Sequence, residues 1–234
     1  MQIVRMSPKK KPRDPAALVV ATAHTAQGLQ EASALRRGQV GFVEVRLDEL
    51  TGEVRGLTRA LPRIRVPILV TARHPSEGGA GALTAARRRA LLEQNLHRAA
   101  AVDVELRSAT ALAAVLDEAA RRRVVRVVSF HDFRRTPDLP RLRDVVRKSA
   151  RAGADIVKIA TYLRDAKDLV ALLILQAGTK VPLATMGMGP LGKVSRLVLA
   201  ATGSRLNYGY LDKPQVKGQW PALELARRLG EVMP

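Results

Sequence analysis

From Ala16 onward the chain alternates short runs of β-branched and other apolar residues with longer Ala/Leu/Arg stretches at helical spacing. The pattern predicts strands over Leu18–Thr22, Val40–Leu47, Pro67–Arg73, Val102–Arg107, Val124–Phe130, Ile156–Ala160, Val181–Met186 and Leu206–Tyr210. Between them it predicts helices, among them Ala82–Ala100, Ala109–Arg122, Leu139–Ala152, Leu163–Gln176 and Lys193–Ala201. Gly153, Gly178 and Gly203 follow the last three, where a helix C-cap is expected. Strand–helix alternation repeated in this way predicts an α/β chain folded as a closed parallel (β/α)8 barrel, a TIM barrel. A doubly wound open sheet is the second choice, and no Gly-rich turn follows the first strand to mark a nucleotide site there.

Polar residues interrupt these strands with period two. In Val43-Glu44-Val45-Arg46-Leu47-Asp48 the apolar set faces one way and Glu44, Arg46 and Asp48 the other. Val102-Asp103-Val104-Glu105-Leu106-Arg107 repeats the arrangement, Thr71 shares a face with Arg73, and Ser129 shares one with His131. One such strand is ordinary in a half-solvated antiparallel sheet. In a parallel barrel, however, the surrounding helices take the apolar face, so the polar set points inward, where barrel active sites are built.

Lys158 stands in Ala154-Asp155-Ile156-Val157-Lys158-Ile159-Ala160. Buried there, it has its pKa driven down toward the neutral amine, which attacks carbonyl carbon. On an edge strand, the head would instead reach solvent and do no chemistry.

Composition narrows the setting. The 234 residues, 47% hydrophobic, suit one domain of barrel size. The absence of cysteine excludes disulfides and thiolate metal sites. No apolar run approaches the ~20 residues that cross a bilayer, and no apolar signal core opens the chain, so a soluble cytoplasmic protein is expected. Residues 1–15, with Lys9-Lys10-Lys11-Pro12-Arg13, are read as a basic leader with a short strand possible at Gln2–Met6, and 16–234 as the barrel. The formal net charge of +19 raises nucleic-acid binding as a function class. The basic residues are spread through helix-like segments such as Ala85-Ala86-Arg87-Arg88-Arg89, and aromatics make up only 3% of the chain. A solvated basic exterior that attracts a small anionic substrate fits better.

A lysine, a histidine and several arginines at the strand ends suggest imine chemistry on a carbonyl compound that carries a carboxylate. Beyond that, a set of motifs runs in order along the chain: Val43-Glu44-Val45-Arg46-Leu47-Asp48, Thr71-Ala72-Arg73 with Glu77-Gly78-Gly79, and Val102-Asp103-Val104-Glu105-Leu106. Then come Ser129-Phe130-His131-Asp132-Phe133, the Lys158 run, Met186-Gly187-Met188 with Ser195-Arg196, and Gly218-Gln219. Together they resemble the type I 3-dehydroquinate dehydratases. The resemblance implies a cofactor-free, metal-free barrel enzyme, commonly dimeric, that converts 3-dehydroquinate to 3-dehydroshikimate in the shikimate pathway of aromatic amino acid biosynthesis.

It also implies roles. Lys158 forms the Schiff base, His131 shuttles protons, and Glu77 orients the imidazole. Arg196 receives the substrate carboxylate, while Glu44, Arg46 and Arg73 bind the ring hydroxyls and carbonyl region. Gln219 closes from a late loop. Met186, Met188, Phe133 and Tyr208 are apolar walls. Asp103 and Glu105 brace the cations from below, Ser129 is a possible partner for His131, and His24, His74 and His97 are structural or exposed. Two departures stand out. Gln215 takes the place of a usual serine, where it should reach or crowd the carboxylate, and Tyr208 stands where phenylalanine is usual. The competing functions are a class I aldolase-like enzyme, with Met188-Gly189-Pro190-Leu191-Gly192-Lys193 as its phosphate cradle, and a non-catalytic nucleic-acid-binding protein.

Overall fold

A computed structural model describes residues 18–233, so the leader with its strand at Gln2–Met6 lies outside the described residues. Eight parallel strands run β1 (Val19–Ala23), β2 (Phe42–Arg46), β3 (Ile68–Thr71), β4 (Ala101–Glu105), β5 (Val125–Asp132), β6 (Ile156–Tyr162), β7 (Leu183–Met188) and β8 (Asn207–Tyr210). Each is followed by a helix: α1 (Ala26–Ala34), α2 (Val54–Ala60), α3 (Ala85–Asn95), α4 (Ala113–Arg121), α5 (Leu139–Arg151), α6 (Ala166–Ala177), α7 (Gly192–Ala201) and α8 (Ala222–Val232).

From β1 to β7 each strand pairs with the next in sequence, and β1 also pairs with β8. That rules out the open doubly wound order. The remaining seam, between β7 and β8, is bridged rather than laddered. Arg205 N donates to the Leu183 carbonyl at 2.7 Å, and Ser204 Oγ accepts from Thr185 N at 3.0 Å. The barrel is nearly closed.

Period-two alternation sorts the strand side chains. Val43, Val45, Val70, Val102 and Val104 face outward and pack with helix residues such as Leu29, Leu92, Val115 and Leu116. Inside, Val20, Phe42, Leu69, Ala101, Val127, Ile156 and Leu206 form an apolar plug. Above that plug, toward the C-terminal strand ends, Thr22, Glu44, Thr71, Asp103, Ser129 and Lys158 are all buried. This fills the barrel as barrels are normally filled, with side chains and no pore.

Most differences from the sequence reading fall at element ends. β5 continues through His131 to Asp132 and β6 through Thr161 to Tyr162, because their mutual ladder runs on to Asp132 and Thr161 and the β6–β7 ladder pairs Tyr162 with Met188. Leu163 is therefore not helical. α6 starts at Ala166, where the Asp165 side chain caps it by accepting from Lys167 N and Asp168 N. Gly153 and Gly203 take positive φ as expected of caps, whereas Gly178 sits at φ −87° and ends its helix without a left-handed turn. Helices α1, α2 and α8 were not singled out in advance. Helix α2 has only seven residues and α1 is weakly amphipathic, whereas α8, with 11 residues, is as long as α3.

Candidate active site

A cavity of 540 Å³ opens at the C-terminal ends of the strands. All nine residues expected in the site line it: Glu44, Arg46, Arg73, Glu77, His131, Lys158, Arg196, Gln215 and Gln219.

Lys158 projects inward from the middle of β6. Its Nζ lies 3.1 Å from Asp103 Oδ2, 3.9 Å from Glu44 Oε1 and 3.7 Å from the centroid of the Tyr208 ring. Burial pulls its pKa below the ordinary lysine value and the Arg73 guanidinium adds to this, while Asp103 and Glu44 oppose. The edge-strand alternative therefore fails, since the side chain is 5% exposed and β6 is flanked on both sides.

The carboxylates around the lysine are fixed. Glu44 accepts from Thr22 Oγ1 at 3.0 Å and from Thr71 Oγ1 at 2.9 Å. Arg73 forks onto both oxygens of Asp103 at 2.8 and 2.7 Å, and its Nη1 also reaches Glu105 Oε1 at 3.0 Å and Ser129 Oγ at 2.7 Å. Arg73 thus faces the cavity with its guanidinium already committed to protein acceptors. Asp103 and Glu105 brace these cations, as expected.

His131, at the end of β5, is held by Glu77. Oε2 of that carboxylate lies 3.0 Å from the His131 backbone nitrogen and 2.9 Å from its Nδ1. The pattern assigns the proton to Nδ1 and leaves Nε2 as the basic nitrogen. Burial, with Arg73 and Lys158 nearby, holds the His131 pKa well below the ordinary histidine value. Burial, reinforced by Glu105, raises Glu77 to about 7. Ser129 is not the histidine's partner; its hydroxyl donates to Asp103 at 2.6 Å. Glu77 ends a 3-10 turn, Pro75–Glu77, and Gly78 follows at φ 82°. A Cβ at Gly78 would meet the Phe133 ring at 2.7 Å, and one at Gly79 would meet the Arg73 carbonyl oxygen at 2.2 Å. Both glycines are needed to bring Glu77 beneath the imidazole. Phe133 stacks on His131 with centroids 6.3 Å apart and stays 40% exposed at the rim, while Met186, Met188 and Tyr208 form buried walls.

Arg46 forks onto Asp48 at 3.0 and 2.7 Å and donates to Glu49 and to the Gly78 carbonyl. Asp48 in turn accepts from Arg73 N and Ala80 N, both at 3.0 Å. These two residues therefore organise the loops around the site.

Arg196, on α7, is 1% exposed. Its Nε donates to the Tyr208 carbonyl at 3.0 Å, and its Nη1 is shared among the carbonyls of Gly187, Gly192 and Gly218 at 2.7 to 2.9 Å. Nη2 has no partner among the described residues, and no carboxylate pairs with the group. Burial alone lowers its pKa to about 10. A buried guanidinium with no carboxylate beside it has the chemistry to accept an anion.

In the late loop, Gln219 Oε1 accepts from Gln215 N at 2.7 Å, and Gln215 Nε2 donates to Glu49 Oε1 at 3.3 Å. Gln215 thus ties the loop to the end of β2, a contact the sequence reading did not foresee. The phosphate cradle imagined at 188–193 is occupied. Gly189 N donates to the Lys217 carbonyl and Gly192 N to that of Gly189, both at 3.0 Å, and a Cβ at Gly192 would meet Gly218 Cα at 2.9 Å. The sequence reading also missed Thr22, His24, Glu49 and Lys213 in the lining. Period two along β1 pointed to Thr22; the other three lie beyond strand ends, where periodicity stops. His24 is buried with Nδ1 unpartnered, while His97 is exposed and His74 Nδ1 accepts from Ser76 N.

Fold and site together define a (β/α)8 barrel enzyme with a buried lysine, a carboxylate-held histidine and an anion-seeking arginine. The type I 3-dehydroquinase family model matches residues 16–231, and the chain belongs to that family. It is 37% identical over 202 residues to the 3-dehydroquinate dehydratase of Methanocella arvoryzae, covering 86% of this chain and 90% of that one. It is 31% identical over 234 residues to the catabolic 3-dehydroquinate dehydratase of Acinetobacter baylyi, covering 93% and 86%. The crystal structure of the Geobacillus kaustophilus 3-dehydroquinate dehydratase superposes with a TM-score of 0.83 at 28% identity, over 99% of this chain and 98% of that one. Among the described residues no helix is long and apolar enough to cross a membrane.

Proposed function

We propose that the chain eliminates water from 3-dehydroquinate to give 3-dehydroshikimate through an imine on Lys158. The observation that carries this reading is a buried lysine of lowered pKa in the same cavity as His131, whose Nδ1 is held by Glu77 and whose Nε2 has no partner among the described residues. The neutral amine attacks the ring ketone, and loss of that oxygen as water leaves a protonated imine. The imine draws electrons from the adjacent carbon, and His131 Nε2 takes its proton. The hydroxyl one carbon further along departs as water with a proton returned by His131. A second water then hydrolyses the imine, releasing the conjugated enone and restoring the amine.

The remaining roles are those the family resemblance implies, with the free edge of Arg196 as support from the cavity. Arg196 Nη2, the only part of that guanidinium left unpaired among the described residues, receives the substrate carboxylate. Glu44 and Arg46 meet the ring hydroxyls, Arg73 sets the electrostatics of the carbonyl end, and Gln215 and Gln219 close the late loop over the substrate. The methionine and aromatic walls exclude water, which strengthens every charge interaction inside. A homodimer is the assembly the family resemblance implies, the cytoplasm is the expected setting, and light scattering of the purified protein tests the dimer. The test of function is incubation with 3-dehydroquinate while the ultraviolet absorbance of the enone is followed. Growth of that band is expected; no band at any pH between 6 and 9 would overturn the reading.

A further inference from the structure

One buried charge near the site remains unexplained by the catalytic roles above. Arg88 belongs to α3, outside the barrel wall, yet it is 2% exposed and reaches inward. Its Nη1 donates to Glu105 Oε2 at 2.9 Å and its Nη2 to Ser108 Oγ at 3.0 Å, while Nε has no partner among the described residues. The other oxygen of Glu105 accepts from Arg73 Nη1 and His74 N, both at 3.0 Å. Arg73 then forks onto Asp103, whose Oδ2 meets Lys158 Nζ at 3.1 Å.

The chain of contacts runs arginine, glutamate, arginine, aspartate, lysine, with alternating sign. With Glu44 beside Lys158 and Arg73, the cluster holds three cations (Arg88, Arg73, Lys158) against three carboxylates (Glu105, Asp103, Glu44). Burying this many charges together is costly unless the two signs balance. An arginine with an orphaned Nε, set in the α3 face that also buries Leu91 and Leu92, is poor packing by itself. Its place is explained by the carboxylate it neutralises.

We propose that Arg88 is a positioning residue for the reaction: by balancing Glu105 it keeps Arg73 seated on Asp103 and so sets how readily Lys158 gives up its proton. The inference rests on Lys158 being the reacting amine. Without Arg88, Glu105 competes with Asp103 for the shared Arg73 Nη1. Asp103 is then less neutralised, and the ammonium of Lys158 is favoured. Without Glu105 the two arginines are in excess, and the neutral amine is favoured. The other groups facing the lysine are Glu44, His131 and Tyr208, Glu77 faces Glu105, and His74 faces Arg88. None of these is altered in the variants below.

The test is competitive acetylation of Lys158 by acetic anhydride across pH on the intact protein, read by peptide mass spectrometry, which reports the lysine's own titration without substrate. Arg88→Gln is expected to move that titration up by roughly half a pH unit or more. Glu105→Gln is expected to move it down, the double variant to return it toward the parent, and Arg88→Lys to leave it near the parent. A merely structural arginine would weaken folding without shifts of opposite sign. Shifts in the same direction, or a double variant displaced as far as a single one, would overturn the proposal. If Arg88→Gln fails to fold, Glu105→Gln and the double variant still give both signs. Because the titration is read without turnover, failure of the dehydratase reading and failure of the Arg88 coupling are told apart: absence of the enone overturns the first, absence of the opposed shifts the second.

Discussion

A single oxygen of Glu77 binds His131 twice, at 3.0 Å from its backbone nitrogen and 2.9 Å from its ring Nδ1. The same carboxylate therefore fixes the end of β5 and the tautomer of the imidazole. Coupled this closely, the two residues titrate as a pair.

Burial raises Glu77 to about 7 and holds His131 well down, so the pair gains its net negative charge near neutrality. The rate of turnover is expected to rise with pH through about 7 as Glu77 ionises and Nδ1 takes the proton. Glu77→Gln should abolish that limb and lower kcat by about 10- to 100-fold, since orientation is lost while the shuttle remains. Stability should move the other way. A carboxyl whose folded-state pKa is raised loses stability as pH climbs from 4.5 through about 7, and glutamine does not. The variant should therefore gain on the parent in Tm between pH 5 and pH 8. A kcat profile that keeps its limb near 7 in Glu77→Gln would assign that limb elsewhere.

His131→Ala removes the shuttle but leaves the amine. The variant should slow turnover by ~10²–10⁴-fold and accumulate covalent adduct, visible as a mass increase on intact protein mixed with substrate. A loss below about tenfold would make the histidine structural.

Arg196 spends Nε and Nη1 on four backbone carbonyls, which leaves Nη2 to meet an anion. Lysine keeps the charge but cannot span carbonyls and carboxylate together. Arg196→Lys is expected to raise KM by roughly 10- to 100-fold, the loss of a charged hydrogen bond, with a smaller effect on kcat. Steady-state kinetics with an unchanged KM would place the carboxylate elsewhere in the cavity.

The sequence made the barrel legible because period two and helical spacing are both set by burial against a shell of helices. The inward polar set was legible for the same reason: Glu44, Asp103 and Lys158 each occupy every second position of a strand buried on both faces. What remained hidden depends on contacts between distant segments. The tether from Gln215 to Glu49 joins residues 166 positions apart across the cavity mouth. The resemblance makes Arg73 a ligand for substrate, and only the fold reveals that Asp103, Glu105 and Ser129 already hold it. Arg88 looks like one more exposed charge in an arginine run, since nothing local distinguishes it from Arg87 or Arg89.

The central claim is that Lys158 forms the covalent bond to substrate, and reductive trapping tests it most directly. Borohydride added to the protein with 3-dehydroquinate should fix one adduct per chain, located on Lys158 by peptide mass spectrometry, and Lys158→Ala should give neither adduct nor enone. An adduct on any other residue, or turnover by Lys158→Ala, would contradict the account.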